Sequence, residues 1–517
     1  MESSAPFVPV YTAAMVRAAD LAAQRDHGVP GSGLMRAAAA AALEDLRSLW
    51  PQARRLLVVC GSGNNGGDGY DLATQALRAG LQPQVVALTP AEALTGDAQA
   101  ACLGWCKAGG TCLPGAALSA ALASAEVVVD ALFGIGLSRA ITGEWAVAVD
   151  AINASGRPVL ALDLPSGLEA DTGVVLGRAV RADFTSTFVG WKACLFLNPA
   201  QAGHVRLHSL EIPPAAFPRD AVPLLWQLPR EVLGRLPKRA RDSHKGRHGH
   251  VVVVGGDHGM PGAVRLAGEA ALRSGAGRVT VLTRAEHAAA VVVGCPELMA
   301  RATGEGDEMA RQLAGANAIV CGPGLGRHGW GDTVLAAVLA NARGRPLVLD
   351  ADALVLLAAA PRRLSASVVL TPHPGEAATL LGTTVAAVQA DRVGALRNLV
   401  ERFGATVILK GAVTLTLSPG CQTPVACELG NPGMGTAGMG DVLAGVCGAL
   451  AAQQVCDPAW EPSTVREMSW LRLAALAVVA HAAAGDLAAA RGGQRGLLAS
   501  DLFPCLREVL NGRGGMA

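Results

Sequence analysis

Leu56-Leu57-Val58-Val59-Cys60 runs without interruption into Gly61-Ser62-Gly63-Asn64-Asn65-Gly66-Gly67-Asp68-Gly69-Tyr70. An apolar, β-branched run ending on a glycine-rich turn predicts a buried parallel strand that feeds a helix. Gly61, Gly63 and Gly66 form a Gly-x-Gly-x-x-Gly spacing, which lets backbone approach a pyrophosphate while the next helix aims free N–H groups at it. The usual dinucleotide pattern also places an acid at the end of the second strand, but that strand closes here on Leu88-Thr89-Pro90. A plain strand-to-helix turn is the alternative. It leaves two amides and an acid, Asn64, Asn65 and Asp68, without a purpose.

The same rhythm repeats outward. Strand candidates in the first half are Leu56–Cys60, Gln84–Leu88, Glu126–Asp130, Val159–Asp163 and Asp183–Phe188. In the second half they are His250–Val254, Arg278–Leu282, Ala318–Cys321, Leu347–Asp350, Val368–Thr371 and Thr406–Leu409. Ala/Leu-rich helical stretches separate them, which is the βαβ pattern of parallel sheets. Pro213, Pro214, Pro218, Pro223, Pro229 and Pro237 crowd the middle of the chain and disfavour helix or central strand there. The expected organisation is an α/β chain of two domains, 1–212 and 243–517, joined by a linker over 213–242.

Length and composition agree with two cores: 517 residues, 51% hydrophobic, 16% charged and 63 glycines. A net charge of +1 argues against a nucleic-acid partner or a polybasic membrane surface. Mean hydropathy is +0.35, yet the longest uncharged stretch, 108–125, is broken by Pro114, and the apolar stretch 473–484 contains His481. The start, MESSAPFVPVYTAAM, lacks the basic and apolar blocks of a signal peptide. Cys102, Cys106 and Cys112 lack paired Cys-x-x-Cys spacing and read as thiols rather than a metal site. A reduced, cytoplasmic protein is expected, without a membrane partner.

Acids stand where strands end. Asp130 leads into Phe133-Gly134-Ile135-Gly136-Leu137-Ser138-Arg139, and Asp163 into Leu164-Pro165-Ser166-Gly167. One such aspartate is often a helix cap. Two beside the Asn64–Asp68 loop suggest a pocket with hard oxygen ligands and a carboxylate base. In the second half no Gly-Lys dipeptide exists, so a Walker loop is excluded. Gly435-Thr436-Ala437-Gly438-Met439-Gly440-Asp441 instead opens the apolar helix Val442–Ala452, offering N–H groups to a phosphate and an acid in the first turn. Gly322-Pro323-Gly324, Thr371-Pro372-His373 and Lys410-Gly411 each follow a strand. His244, His248 and His250 have no acid or cysteine completing a ligand set and read as a basic loop.

CGSGNNGGDGY, VVDALFGIGL and DLPSGL together resemble the NAD(P)H-hydrate epimerase family, over about residues 10–210. The resemblance implies a Rossmann-like doubly wound sheet. It implies that Asn64, Asn65, Gly66, Gly67, Asp68, Gly134, Ile135, Gly136, Leu137, Ser138, Arg139 and Ala140 hold the hydrated nucleotide. Asn65, Asp130 and Ser166 would ligate potassium, and Asp163 would be the proton-transfer group. The sequence departs from the family after Leu34-Met35, where Arg36-Ala37 replaces the common Ala-Gly.

The second half, from about Arg241 to Leu510, resembles the ADP-dependent NAD(P)H-hydrate dehydratases and implies a ribokinase-like fold. Thr371-Pro372-His373 with Glu376 carries the histidine typical of that family. By this resemblance Ala263, Gly324, His373 and Asp441 contact the hydrated nucleotide, with Asp441 as base. Lys410, Gly411, Ala412, Val413, Thr414 and Gly440 contact ADP, the co-substrate. Magnesium accompanies the nucleotide, with Glu376 as an indirect contact. Arg247-His248 replaces a frequent Asp-Tyr pair. The implied activity is repair of hydrated NADH and NADPH (NADHX and NADPHX), by a homo-oligomer. The alternative is a vitamin-precursor kinase fused to a non-catalytic Rossmann-like module.

Overall fold

The computed structural model describes residues 7–26, 28–218, 222–304, 306–457 and 466–512. The chain resolves into two compact α/β units, Pro9–Leu225 and a second that takes the chain from Trp226 onward together with the residues before Pro9. The division therefore falls inside the proline-rich stretch. Residues beyond it are packed: Leu228, Val232 and Leu233 are buried in the core of the second unit.

The N-terminal unit contains β1 (Val8–Tyr11), β2 (Arg55–Cys60), β3 (Gln82–Ala87), β4 (Cys112–Pro114), β5 (Val127–Ala131), β6 (Val159–Leu162), β7 (Phe184–Phe188), β8 (Trp191–Lys192) and β9 (His204–His208). Seven of them form one parallel sheet in the order β4-β3-β2-β5-β6-β7-β9, while β1 and β8 make a short parallel pair. The chain runs outward from β2 to β4, then returns to β5 and continues the other way. That reversal opens a crevice between the loops after β2 and β5.

The C-terminal unit repeats the device. Its strands are β10 (Leu225–Gln227), β11 (His250–Val254), β12 (Arg278–Thr283), β13 (Met299–Ala302), β14 (Ala318–Cys321), β15 (Leu347–Leu349), β16 (Val368–Leu370), β17 (Thr406–Leu409), β18 (Thr414–Leu417) and β19 (Val425–Cys427). They run β13-β12-β11-β14-β15-β16-β17-β18-β19-β10, parallel up to β17 and antiparallel from β17 through β19. The reversal lies between β11 and β14. This is the doubly wound, ribokinase-like arrangement expected from sequence, preceded by a Rossmann-like unit.

Central strands are buried on both faces. All five residues of β5 and Val251–Val254 of β11 are inaccessible or nearly so, which explains their unbroken apolar runs. Two helices, Met439–Cys456 and Trp470–Gly492, are long and apolar enough to cross a membrane. Both are mostly buried, the first against Pro261–Arg273 and the second around the same core.

Close approach sets the first of these crossings. A Cβ on Gly445 would lie 2.1 Å from the Ala267 carbonyl oxygen. Gly445→Ala would gain about 1 kcal/mol of helix propensity, but the backbone clash costs about 1–3 kcal/mol. The expected result is net destabilisation, a lower urea midpoint for the C-terminal unit, with the N-terminal transition unchanged.

Candidate active sites

In the N-terminal unit the loops after β2, β5 and β6 meet over a cavity of about 510 Å³. Asn64 and Asn65 form the first turn of helix Asn64–Arg78, whose dipole faces the cavity. Asn64, Asn65, Asp68, Gly134, Ile135, Gly136, Leu137, Ser138, Arg139 and Asp163 line it, as the sequence suggested. Gly66, Gly67 and Ala140 do not. The two glycines serve packing: a Cβ on Gly66 would strike the Gly61 carbonyl and one on Gly67 the Met35 side chain. Gly134 marks the convergence, its Cβ position lying 3.3 Å from Asp163 Oδ2 and 3.5 Å from Asn65 Cγ. Arg17 pins this loop by donating to the Ile135 carbonyl at 2.6 Å.

Asp163 has φ of 62°, an uncommon left-handed conformation, though one that aspartate adopts more readily than most side chains. Its carboxylate is held by Lys192, which sequence reading missed. Lys192 is 1% exposed and donates to Asp163 Oδ1, to Thr187 Oγ1 at 2.9 Å and to the Phe188 carbonyl at 2.5 Å. Asp20 on helix Ala13–Asp26, also missed, faces this pair. Burial pushes its carboxyl up to about 6, with Lys192 opposing and Asp163 adding to the shift. Asp68 is raised further, by burial first and then by Asp163, Asp71 and Asp20.

Of the candidate cation ligands, Asp130 and Ser166 are hydrogen-bonded to each other and Asn65 lines the cavity. Ser166 donates through Oγ to Asp130 Oδ1 at 2.6 Å and through its N–H to Oδ2 at 2.8 Å. Phe133 N–H donates to Ser166 Oγ at 2.8 Å. Asp130 is fully buried and its carboxyl is raised to about 6 by desolvation, against the pull of these hydrogen bonds. Both side-chain polar atoms of Asn65 are buried without a partner. A buried amide left open in the cavity wall fits an oxygen-ligated cation.

In the C-terminal unit, Gly438 (φ 89°) turns the chain into helix Met439–Cys456, leaving Asp441 in the first turn. Asp486 anchors the start of this loop, accepting from Gly430 N–H and Asn431 Nδ2, both at 2.9 Å. A Cβ on Gly440 would lie 3.2 Å from Lys410 Nζ and 3.4 Å from Asp350 Oδ2. Lys410 bonds Asp350 Oδ1 at 3.0 Å and lies 3.9 Å from Glu376 Oε2. Thr371 Oγ1 donates to the same Asp350 oxygen at 2.6 Å. Burial alone would lower the Lys410 ammonium, but Asp350 and Glu376 raise it above its ordinary value. Asp441 is pushed up to about 7 by burial and by Asp350, and Glu376 to about 7 by burial, with Lys410 restraining both. Asp350 was read from sequence only as a strand end.

His373 caps helix Pro374–Leu381. Its Nδ1 accepts from Gly375 and Glu376 N–H at 3.0 and 3.2 Å, and Glu376 accepts from His373 N–H at 2.8 Å. Nε2 lies 3.4 Å from Glu376 Oε1. Gly324 and Ala263 are neighbours, a Cβ on Gly324 falling 3.2 Å from that of Ala263. Within 410–414, Gly411 and Ala412 are exposed, Val413 is buried and Thr414 starts β18. Arg392 holds this loop through the carbonyls of Leu409, Lys410 and Val413 at 3.3, 3.2 and 2.7 Å.

The three histidines do not gather. His244 Nδ1 accepts from Gly246 N–H at 3.2 Å, His248 pairs with Ser243 at 3.2 Å, and His250 bridges Gly315 O and Thr280 Oγ1 at 2.9 and 2.8 Å. The three cysteines, by contrast, come together (see below).

A cavity at a sheet reversal in one unit, and in the other a helix N-terminus beside a buried lysine, each with carboxylates raised above their ordinary values, suit an enzyme of nucleotide chemistry. Residues 251–507 match the family described as NAD(P)H-hydrate dehydratase, and residues 31–194 the family of the YjeF-related protein N-terminus. A bifunctional NAD(P)H-hydrate repair enzyme Nnr of Coxiella burnetii is 42% identical, covering 94% of this chain and 96% of its own. The protein of the same name from Escherichia coli K12 is 40% identical, covering 92% and 89%. A solved ADP/ATP-dependent NAD(P)H-hydrate dehydratase from Bacillus subtilis is 28% identical with a TM-score of 0.45, covering 54% of this chain and 96% of its own. The chain belongs to the bifunctional NAD(P)H-hydrate repair enzymes, combining epimerase and dehydratase.

Lys192→Met would leave Asp163 without its buried counter-charge and let Asp20 and Asp68 shift further up. Epimerase activity is expected to fall by about 100-fold or more, an effect the size of a lost acid–base group. Dehydration of the S-epimer by the same chain serves as the internal control and should hold.

Proposed function

We propose that the N-terminal cavity interconverts the 6R and 6S forms of hydrated NADH and NADPH, with Asp163 as the proton-transfer group. Epimerisation at carbon 6 has to release one stereochemical arrangement and rebuild the other, which needs a group that takes and returns a proton. Asp163 faces the cavity with one oxygen held by Lys192, and the other lies toward Gly134 and Asn65. Asp163→Ala should leave S-epimer repair intact and slow consumption of the R-epimer to its spontaneous rate. Unchanged R-epimer turnover would refute the assignment.

Asn65, Asp130 and Ser166 would hold potassium, whose charge would compensate the buried Asp130 carboxylate. Asp130 supplies a sign that can be tested. Its folded pKa, about 6, lies above the ordinary 3.8, so the folded state binds the proton more tightly. Its stabilising contribution is present below about 4 and is lost as pH rises through about 6. A bound cation reverses this by favouring the carboxylate. In choline chloride the melting temperature of the N-terminal unit should drop as pH rises through 6. In potassium chloride the drop should shrink, and Asp130→Asn should remove the difference.

The C-terminal cleft uses ADP to phosphorylate the 6S hydroxyl. Asp441 takes the hydroxyl proton as oxygen attacks the β-phosphorus, AMP departs, and phosphate then leaves carbon 6 to regenerate NAD(P)H. Phosphate is a far better leaving group than hydroxide. The N–H groups at Gly438–Gly440 receive the transferring phosphoryl group, and Lys410 brings positive charge beside them. The observation that carries this reading is Asp441, raised to about 7 in the first turn of a helix whose N-terminus meets Lys410. Magnesium, when bound, would neutralise phosphate charge. Glu376 has one oxygen engaged in its helix cap, so it fits contact through water, with the ion arriving on the nucleotide.

Incubation with hydrated NADH and ADP should restore the reduced-nicotinamide absorbance. No recovery, with turnover of a hydroxymethyl heterocycle instead, would favour the kinase reading. Because the base must be ionised, kcat/KM should fall as pH drops through about 7. Asp441→Asn should cost about 10²–10⁴-fold.

A further inference from the structure

Helix Gly96–Lys107 carries Cys102 and Cys106 four residues apart, on one face of its last turns. The turn that follows returns the chain as edge strand β4, which begins at Cys112. Trp105 fixes that turn by donating from its indole N–H to the Thr111 carbonyl at 3.2 Å. Spacing alone does not announce a site, because the third thiol arrives from a different element.

The three Sγ atoms lie within 4.8 Å of one another, and those of Cys102 and Cys112 are 3.8 Å apart. Thiolates sharing one metal at about 2.3 Å must stand about 3.8–4.0 Å from each other. Among the described residues no other group of three His, Cys, Asp or Glu side chains gathers its donor atoms so closely. A second observation points into the same place. The Tyr70 hydroxyl is fully buried, makes no hydrogen bond of ordinary geometry, and is directed at the Cys102 thiol. Cys102 is buried, Cys112 half-buried and Cys106 exposed, which gives an entry path from solvent.

We propose that Cys102, Cys106 and Cys112 bind one thiophilic d10 metal ion of the zinc or copper(I) class, with the Tyr70 hydroxyl facing the remaining coordination position. Three sulfurs and no carboxylate select a soft cation over magnesium or calcium. Binding replaces three S–H bonds by three metal–sulfur bonds and releases three protons, without oxidation. A Cys102–Cys112 disulfide would account for two of the thiols but leave Cys106 and Tyr70 unexplained. The ion would tie a helix to a three-residue edge strand whose one strand partner is β3. The same helix carries Asp97 at its other end, in the wall of the nucleotide cavity.

The test is titration of the reduced full-length protein with Cd²⁺, followed in the ultraviolet thiolate charge-transfer band, then with Zn²⁺ against a chromophoric chelator, and with Cu⁺ against a copper(I) chelator. One equivalent should saturate the site, and X-ray absorption on the loaded protein should find three sulfur neighbours. Cys106→Ser, on the surface and safe for folding, and Cys112→Ser should each weaken binding by about 100-fold. Cys456→Ser should leave it unchanged, and the melting temperature of the N-terminal unit should rise with metal only when all three cysteines are present. Absorbance that climbs without saturating at one equivalent would overturn the proposal. So would equal affinity in the Cys106 and Cys112 variants, or a Cys102–Cys112 disulfide formed by mild oxidant with no metal bound under reducing conditions.

Discussion

Carboxylates crowded at the ends of buried strands cannot all keep their charge, and each unit meets this constraint with one lysine. Lys192 pairs with Asp163, and Lys410 with Asp350. In a medium of low dielectric each lysine pairs directly with one acid, and the neighbouring carboxyls drift upward, chiefly through burial. Asp20 and Asp68 do so in the first unit, Asp441 and Glu376 in the second. Each ion pair thus stands among carboxyls whose proton affinity is raised toward the range that acid–base chemistry needs. Removing either lysine changes the charge state of a whole cluster rather than one contact.

The two units reach this arrangement by the same backbone means. In each, the chain reverses direction across the sheet, and the loops flanking the reversal carry the glycines. In each, left-handed backbone lies at a strand end: Asp163 itself in one, Ala351 (φ 49°) directly after Asp350 in the other. Helix N-termini and amide groups stand at both sites, a means by which a chain with a net charge of +1 can handle anionic nucleotides.

Much of this was legible beforehand, for a physical reason. Central strands buried on two faces must be apolar throughout, so β2, β5, β11, β14 and β17 declare themselves. Edge strands need not be: Met299-Ala300-Arg301-Ala302 and His204-Val205-Arg206-Leu207-His208 are partly exposed and were not found. Asp130, Asp163 and Asp441 were visible because they stand at turns beside glycines. Lys192 and Asp20 were not, since their elements carry no glycine-rich signature and only folding brings them to Asp163. The gathering of the three thiols was not legible for a related reason. A rule about spacing along one segment cannot see a ligand delivered by the next strand.

The chain contains only five lysines, Lys107, Lys192, Lys238, Lys245 and Lys410. Three are exposed, and the two that matter are shielded inside ion pairs. Chemistry that acylates or glycates primary amines would therefore find few side-chain targets here, none of them in a working site. An enzyme that repairs chemical damage in a cofactor would itself offer little to one common form of chemical damage.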